Sequence, residues 1–168
     1  FGTADDFSFE MWVNIPDTQT CTGNKVFTGR RDSNLSLWVG CDGSTNAAVF
    51  SARDTNKDQT VIVGTTPLND SAWHHIAAVR DANSNQLHLY VDGVLENSAA
   101  TAFTGTFISN QELNLGWFDV SPYYHMVGTL DEVAVFGRAL SLVEIEAHYN
   151  NGLSGTGYCD CLLYTSDA

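Results

Sequence analysis

The densest concentration of chemically useful side chains lies in the run Trp117-Phe118-Asp119-Val120-Ser121-Pro122-Tyr123-Tyr124-His125. Five of its nine residues are aromatic or histidine. Sugars present apolar C–H faces and hydroxyl edges. Aromatic rings cover the first, and carboxylate, amide or imidazole groups bond the second. Trp117, Asp119, Tyr123, Tyr124 and His125 are therefore candidate ligand-binding residues. The competing reading turns Trp117 and Phe118 inward as core. Tyr123 and Tyr124 are adjacent, so at least one of them faces outward. Trp38, beside the turn-rich GRRDSN segment, is a further candidate for ligand contact.

Other groups could support different chemistry. Glycoside hydrolysis needs two carboxylates roughly 5–10 Å apart. Glu10 and Glu132 fall on one sheet face in neighbouring strands, so such a pair is geometrically conceivable, but nothing around them marks an acid and a base. Nucleophile-elbow, zinc-protease and phosphate-loop motifs are absent, and no catalytic residue is expected. His74 and His75 are neighbours in a strand and point to opposite faces, so they cannot chelate one metal together. His75 shares a face with Trp73, Ala77 and Val79 and reads as a packed, hydrogen-bonded residue. Cys21 and Cys41 flank a hairpin and could pair across it; the alternative is two partly buried thiols. Cys159-Asp160-Cys161 is poorly spaced for zinc.

Seven basic residues against twenty acidic ones give a net charge of −13. That balance argues against nucleic acid and anionic membrane surfaces as partners. It suits a hard cation such as Ca²⁺, which takes carboxylate and carbonyl oxygens, or it serves solubility. Few lysines accompany the cysteines, so an extracellular or cell-surface setting is expected. No apolar stretch approaches the roughly 20 residues that a membrane helix needs. A chain of 168 residues is long enough for one domain with a sizeable core.

The elements that must position these residues are mostly short strands. Phe7–Val13 alternates, with Phe7, Phe9, Met11 and Val13 on one face and Ser8, Glu10 and Trp12 on the other, as in a half-buried strand. Val26–Thr28 and Leu35–Val39 flank the GRRDSN tip; Ala47–Ser51 and Thr60–Val63 follow. Trp73–Arg80 and Leu87–Val91 form a meander. Asp92-Gly93 then makes a two-residue hairpin turn into Val94–Glu96. Leu113–Gly116 is a short strand, and Thr129–Phe136 is the last. Ser141 and Glu144 form a capping box that opens a helix ending at Asn151-Gly152. Leu142, Ile145 and Tyr149 should face the sandwich. Recurring turns between short strands predict an all-β, antiparallel two-sheet sandwich with one short C-terminal helix. A single domain is expected over 1–155. Residues 156–168 lose pattern and read as a tail that is not native; the alternative is a terminal strand.

Four segments, DDFSFEMWV, SAWHHIAAVRD, LHLYVDG and GTLDEVAVFGRALSLVEI, stand in an order that resembles the laminin-G-like jelly-roll modules of the concanavalin A-like lectin/glucanase superfamily, near the pentraxins. The resemblance runs from about Asp5 to Gly152. It implies a jelly roll whose opening strand or strands are missing here, carried as one domain of a larger secreted or cell-surface protein. It implies a glycan or an extracellular protein as partner, in a lectin-like or an adhesive role. Glucanases of this superfamily carry glutamates repeating on one strand in an ExDxxE pattern, and none occurs here. Relatives often hold calcium at the sandwich rim with an aspartate near the final strand, and Asp131 of GTLDEV matches that position. Asp5 and Asp6 are the expected additional oxygens, with Asp119 next. Asp131 is expected on the face of Val133 and Val135, at the end of a core row.

Overall fold

The structure, a computed structural model, describes residues 1–118 and 124–158. Ten strands run in chain order: β1 (Phe7–Asn14), β2 (Lys25–Arg31), β3 (Ser36–Cys41), β4 (Ala47–Arg53), β5 (Gln59–Pro67), β6 (Trp73–Asp81), β7 (Gln86–Val91), β8 (Val94–Ala100), β9 (Asn114–Leu115) and β10 (Thr129–Phe136). One helix, α1 (Leu142–Leu153), follows. The strands form two antiparallel five-stranded sheets, ordered β10-β1-β6-β7-β8 and β5-β4-β3-β2-β9. This is the expected jelly-roll sandwich.

Alternation along the strands builds the core between the sheets. Phe7, Phe9, Met11 and Val13 of β1 meet Phe27, Leu37, Val39, Phe50 and Ile62 of the opposite sheet, all at most 2% exposed. The turns follow local chemistry. Asp92 and Gly93 both adopt left-handed φ, 52° and 77°, as the two-residue hairpin requires. β2 extends past its expected end to Arg31, because Gly29–Arg31 pair with Ser36–Trp38. The tip shrinks to Asp32–Leu35, where the Asp32 carboxylate accepts from the backbone N–H of Asn34 and Leu35. Cys21 and Cys41 are joined as a disulfide, with Cα atoms 5.7 Å apart.

Three expectations change. β1 is not half-buried: Ser8 and Glu10 are wholly buried and Trp12 is 7% exposed. The helix lies on their face and closes a second small core of Ala77, Val79, Tyr90, Leu140 and Ile145. Within that helix Ile145 is buried and Tyr149 stacks on Trp12, but Leu142 turns outward. It sits in the first turn, and Leu140, just before the helix, takes the contact instead.

The third change concerns β10. Glu10 pairs with Ala134 and Trp12 with Asp131, so β10 carries one more residue than β1 across this interval. Glu132 absorbs it at φ 49°, a β-bulge. The bulge flips the alternation: Leu130 takes the core position opposite Val13, and Asp131 moves to the outer face beside Trp12. Asp131 therefore does not share the row of Val133 and Val135. Val133 packs against the core, while Val135, on an edge strand, is 43% exposed.

Residues 156–158 contact the domain. Thr156 donates its backbone N–H to the Asn151 carbonyl, and the Tyr158 ring lies 5.8 Å from His75 and 5.3 Å from His148. Residues 159–168, with Cys159 and Cys161, fall outside the described residues.

Candidate functional site

The outer face of the helix-bearing sheet is read most simply as cross-strand rows. One row is Asp131–Trp12–His75, from β10, β1 and β6; the next, toward the rim, is Thr129–Asn14–Trp73. The row behind is Ala134–Glu10–Ala77. The two alanines leave room above Glu10, and the helix fills it with His148.

At the open end of this face lies a cavity of about 470 Å³, lined by Trp12, Trp73, Asp131, Glu132, Gly152, Leu153 and Gly155. Trp73 begins β6 and is 44% exposed, a free indole face at the mouth. Trp12 forms the floor. Its ring stacks on Tyr149 at 5.7 Å and tilts against His75 at 5.2 Å. The end of the helix presses onto its edge. A Cβ added at Gly152 would fall 2.3 Å from the indole, which is why this position has no side chain. The Nε1 donor of Trp12 and the Oε2 acceptor of Glu132 are buried and have no hydrogen-bond partner among the described residues. Asp131 is exposed and accepts from the Glu132 backbone N–H at 2.8 Å.

Behind the cavity sits a buried polar cluster. Glu10 is wholly buried; its Oε2 is 2.8 Å from His148 Nδ1, a hydrogen bond. His75 Nε2 lies 3.0 Å from Glu10 Oε1, at ion-pair distance but off the hydrogen-bonding direction, so the ring of this packed histidine makes no hydrogen bond among the described residues. Burial raises the Tyr158 hydroxyl far above the ordinary tyrosine range, helped by the nearby carboxylates Glu10, Glu132 and Asp131. It remains protonated. His74, on the other face of β6, is held by Asp92 at 2.8 Å and Asp70 at 3.2 Å. The Asp92 hydrogen bond leads the effects that raise its pKa above the ordinary histidine value. The conceivable pair of Glu10 and Glu132 is thus split: Glu132 lines the cavity, and Glu10 is sealed beneath the helix.

The aromatic run divides in two. Trp117 is 42% exposed, with the His125 ring edge-on at 6.2 Å, so it does not turn inward. Phe118 does, at 4% exposure, and touches Trp38 at 6.3 Å and Tyr124 at 6.3 Å. Gly29 opposite Trp38 makes that meeting possible, since a Cβ there would lie 2.5 Å from Trp38. Trp38 and Tyr124 are consequently half-buried. Asp119 and Tyr123 lie outside the described residues.

Of the expected calcium ligands, Asp119 lies outside the described residues, and Asp5 and Asp6 do not converge with Asp131. Asp5 and Asp6 precede β1, whereas Asp131 pairs near its far end, about 20 Å away at the rise of a strand. Asp6 accepts from the Ala82 N–H at 2.7 Å, and Asp5 from the Gly2 N–H. Among the described residues no group of three or more His, Cys, Asp or Glu side chains is placed to hold an ion. Asp5 and Asp6 therefore do not join Asp131 in one site.

The cavity as a whole was not anticipated from the sequence. A signal was present: Trp12 alternates with Ser8 and Glu10, on the face of its strand opposite the apolar row. No helix among the described residues is long and apolar enough to cross a membrane.

Comparison with known proteins places the fold. The chain resembles the binding domain of Paraclostridial Mosquitocidal Protein 1, at 17% identity and TM-score 0.74, over 90% of this chain and 38% of that one. It resembles a provisionally assigned carbohydrate-binding protein from Bacteroides ovatus at 14% identity and TM-score 0.70, over 89% and 42% of the two chains. A SAP-like pentraxin from Limulus polyphemus follows at 10% identity and TM-score 0.65, over 84% and 68%. The chain thus spans about two fifths of the first of these, the 38% given above. No curated protein sequence matches it. The Laminin_G_3 family matches residues 1–146, and with that span this chain belongs to the concanavalin A-like lectin/glucanases superfamily.

Proposed function

We propose that this domain is a non-catalytic, lectin-like module that binds a glycan at the outer face of the helix-bearing sheet. One observation carries the reading: the cavity between Trp12, Trp73, Asp131 and Glu132. An exposed indole face suits the apolar side of a pyranose. Two carboxylates beside it accept from sugar hydroxyls. A role as one domain of a larger extracellular or cell-surface protein fits the disulfide and the partial span of its structural relatives. The provisional carbohydrate-binding assignment of the Bacteroides ovatus relative supports the same ligand class.

The test is a glycan array followed by calorimetric titration of each hit. Trp73→Ala should weaken binding about tenfold, the equivalent of about 1.4 kcal/mol, without lowering the melting temperature. Trp117→Ala should leave affinity unchanged. The reverse pattern would move the site to the Trp117–His125 pair, and silence across the array would defeat the glycan reading. Calcium belongs to the same titration. Coincident curves with Ca²⁺ and with chelator remove the ion from the site; loss on chelation would restore it, with Asp131 and Glu132 as its carboxylates.

The second reading is a protein-binding, adhesive module. It is favoured by the apolar side chains that the helix turns to solvent, Leu142 at 45% and Val143 at 73% exposure.

A further inference from the structure

The cavity has an unusual charge for a sugar site. Its charged lining groups are Asp131 and Glu132, and among the described residues no lysine or arginine lines it. The whole chain carries −13, so the long-range field has the same sign. Glu132 is held in left-handed backbone at φ 49°, which is uncommon for a residue with a side chain. Its Oε2 is buried without a donor among the described residues. A second, independent feature points to a ligand: Trp73, in the same lining, is 44% exposed. Trp12 is 7% exposed, and its Nε1 is covered by Gly152, where an added Cβ would come within 2.6 Å of it. The site therefore offers acidic acceptors and an exposed indole face. An ammonium group answers both the carboxylates and the indole, since a cation is attracted to the face of an aromatic ring.

Resting on the glycan reading above, we propose that the cavity takes an amino sugar. The ammonium lies against Asp131 and Glu132, and the pyranose C–H face lies on Trp73. Sulfated and carboxylated glycans are repelled by the same two carboxylates.

The experiment is calorimetric titration with a glucosamine tetramer and an N-acetylglucosamine tetramer, at mildly acidic pH where the amines are charged. The two ligands differ at the nitrogen that carries the charge. The expected result is at least about tenfold tighter binding of the glucosamine oligomer, falling as salt screens the carboxylates. In the Asp131→Asn/Glu132→Gln variant the two ligands should bind alike. These substitutions keep side-chain shape, and an unchanged melting temperature would show that the fold is intact. Equal or tighter binding of the N-acetylated oligomer overturns this inference and leaves the glycan reading standing. So does a preference that survives in the double variant. Silence toward both oligomers, with binding of another neutral glycan on the array, likewise overturns the amino-sugar assignment alone. Silence toward every glycan overturns both.

Discussion

Glu10 lies wholly inside the protein, yet it touches two histidines from two different elements, His75 of β6 and His148 of the helix. A buried carboxylate without partners is costly, and so is a buried imidazole with its acceptor removed. Glu10→Ala should therefore destabilise the fold by about 3–5 kcal/mol, read as a lower denaturant midpoint. A loss under about 1 kcal/mol would mean the cluster is not coupled. His74 makes a pH prediction. Its folded pKa is raised above the ordinary histidine value of 6.5, chiefly by the Asp92 hydrogen bond. Its stabilisation is thus fully present below that value and is lost as pH rises through the higher, folded pKa. An NMR titration should give a His74 midpoint above 6.5, and Asp92→Asn should bring it back down. A midpoint at or below the unperturbed value would show that Asp92 does not hold the ring.

At the scale of elements the helix is the decisive piece. Its start is specified locally: the Glu144 backbone N–H donates to Ser141 Oγ, and the Glu144 carboxylate accepts from the Ser141 backbone N–H. Arg138 pairs with the same carboxylate at 2.7 Å. Ser141→Ala should cost about 1 kcal/mol of stability in a denaturant titration. Glu144 has its pKa lowered to about 2, first by the Arg138 hydrogen bond and then by those from Ser141. Its contribution is present above the ordinary glutamate value of 4.5 and is lost as pH falls from there toward 2. The Ser141→Ala penalty should shrink over that interval, and a penalty independent of pH would separate the cap from Glu144. The far end of the helix has another task. Gly152 and Leu153 wall the cavity, so the element that seals Glu10 also shapes the site.

Across the whole molecule, the two cores and the disulfide divide the work of holding the sandwich. Cys21 and Cys41 are separated by 20 residues and tie the segment entering β2 to the end of β3. The Cys21→Ala/Cys41→Ala variant should lose about 3 kcal/mol, the entropy of closing such a loop in the unfolded chain. Thermal melts of the native protein with and without reductant should show the same drop. Equal melting temperatures would place the stability in the sheets alone.

Alternation in Phe7–Val13, the Asp92-Gly93 turn and the Ser141–Glu144 box were legible because each is a local rule, satisfied by residues within a few positions of one another. From these the sandwich and its helix follow. What the sequence by itself could not decide were the facts that depend on distant partners. Ser8, Glu10 and Trp12 look like a solvent face until the helix, more than 130 residues away, lies on them. Asp131 looks like the end of a core row until the bulge at Glu132 turns it outward. A bulge is set by pairing between strands, and periodicity along one strand does not contain it. The cavity exists for both reasons together: the bulge delivers two carboxylates to the outer face, and Gly152 lets the helix close against Trp12 beside them.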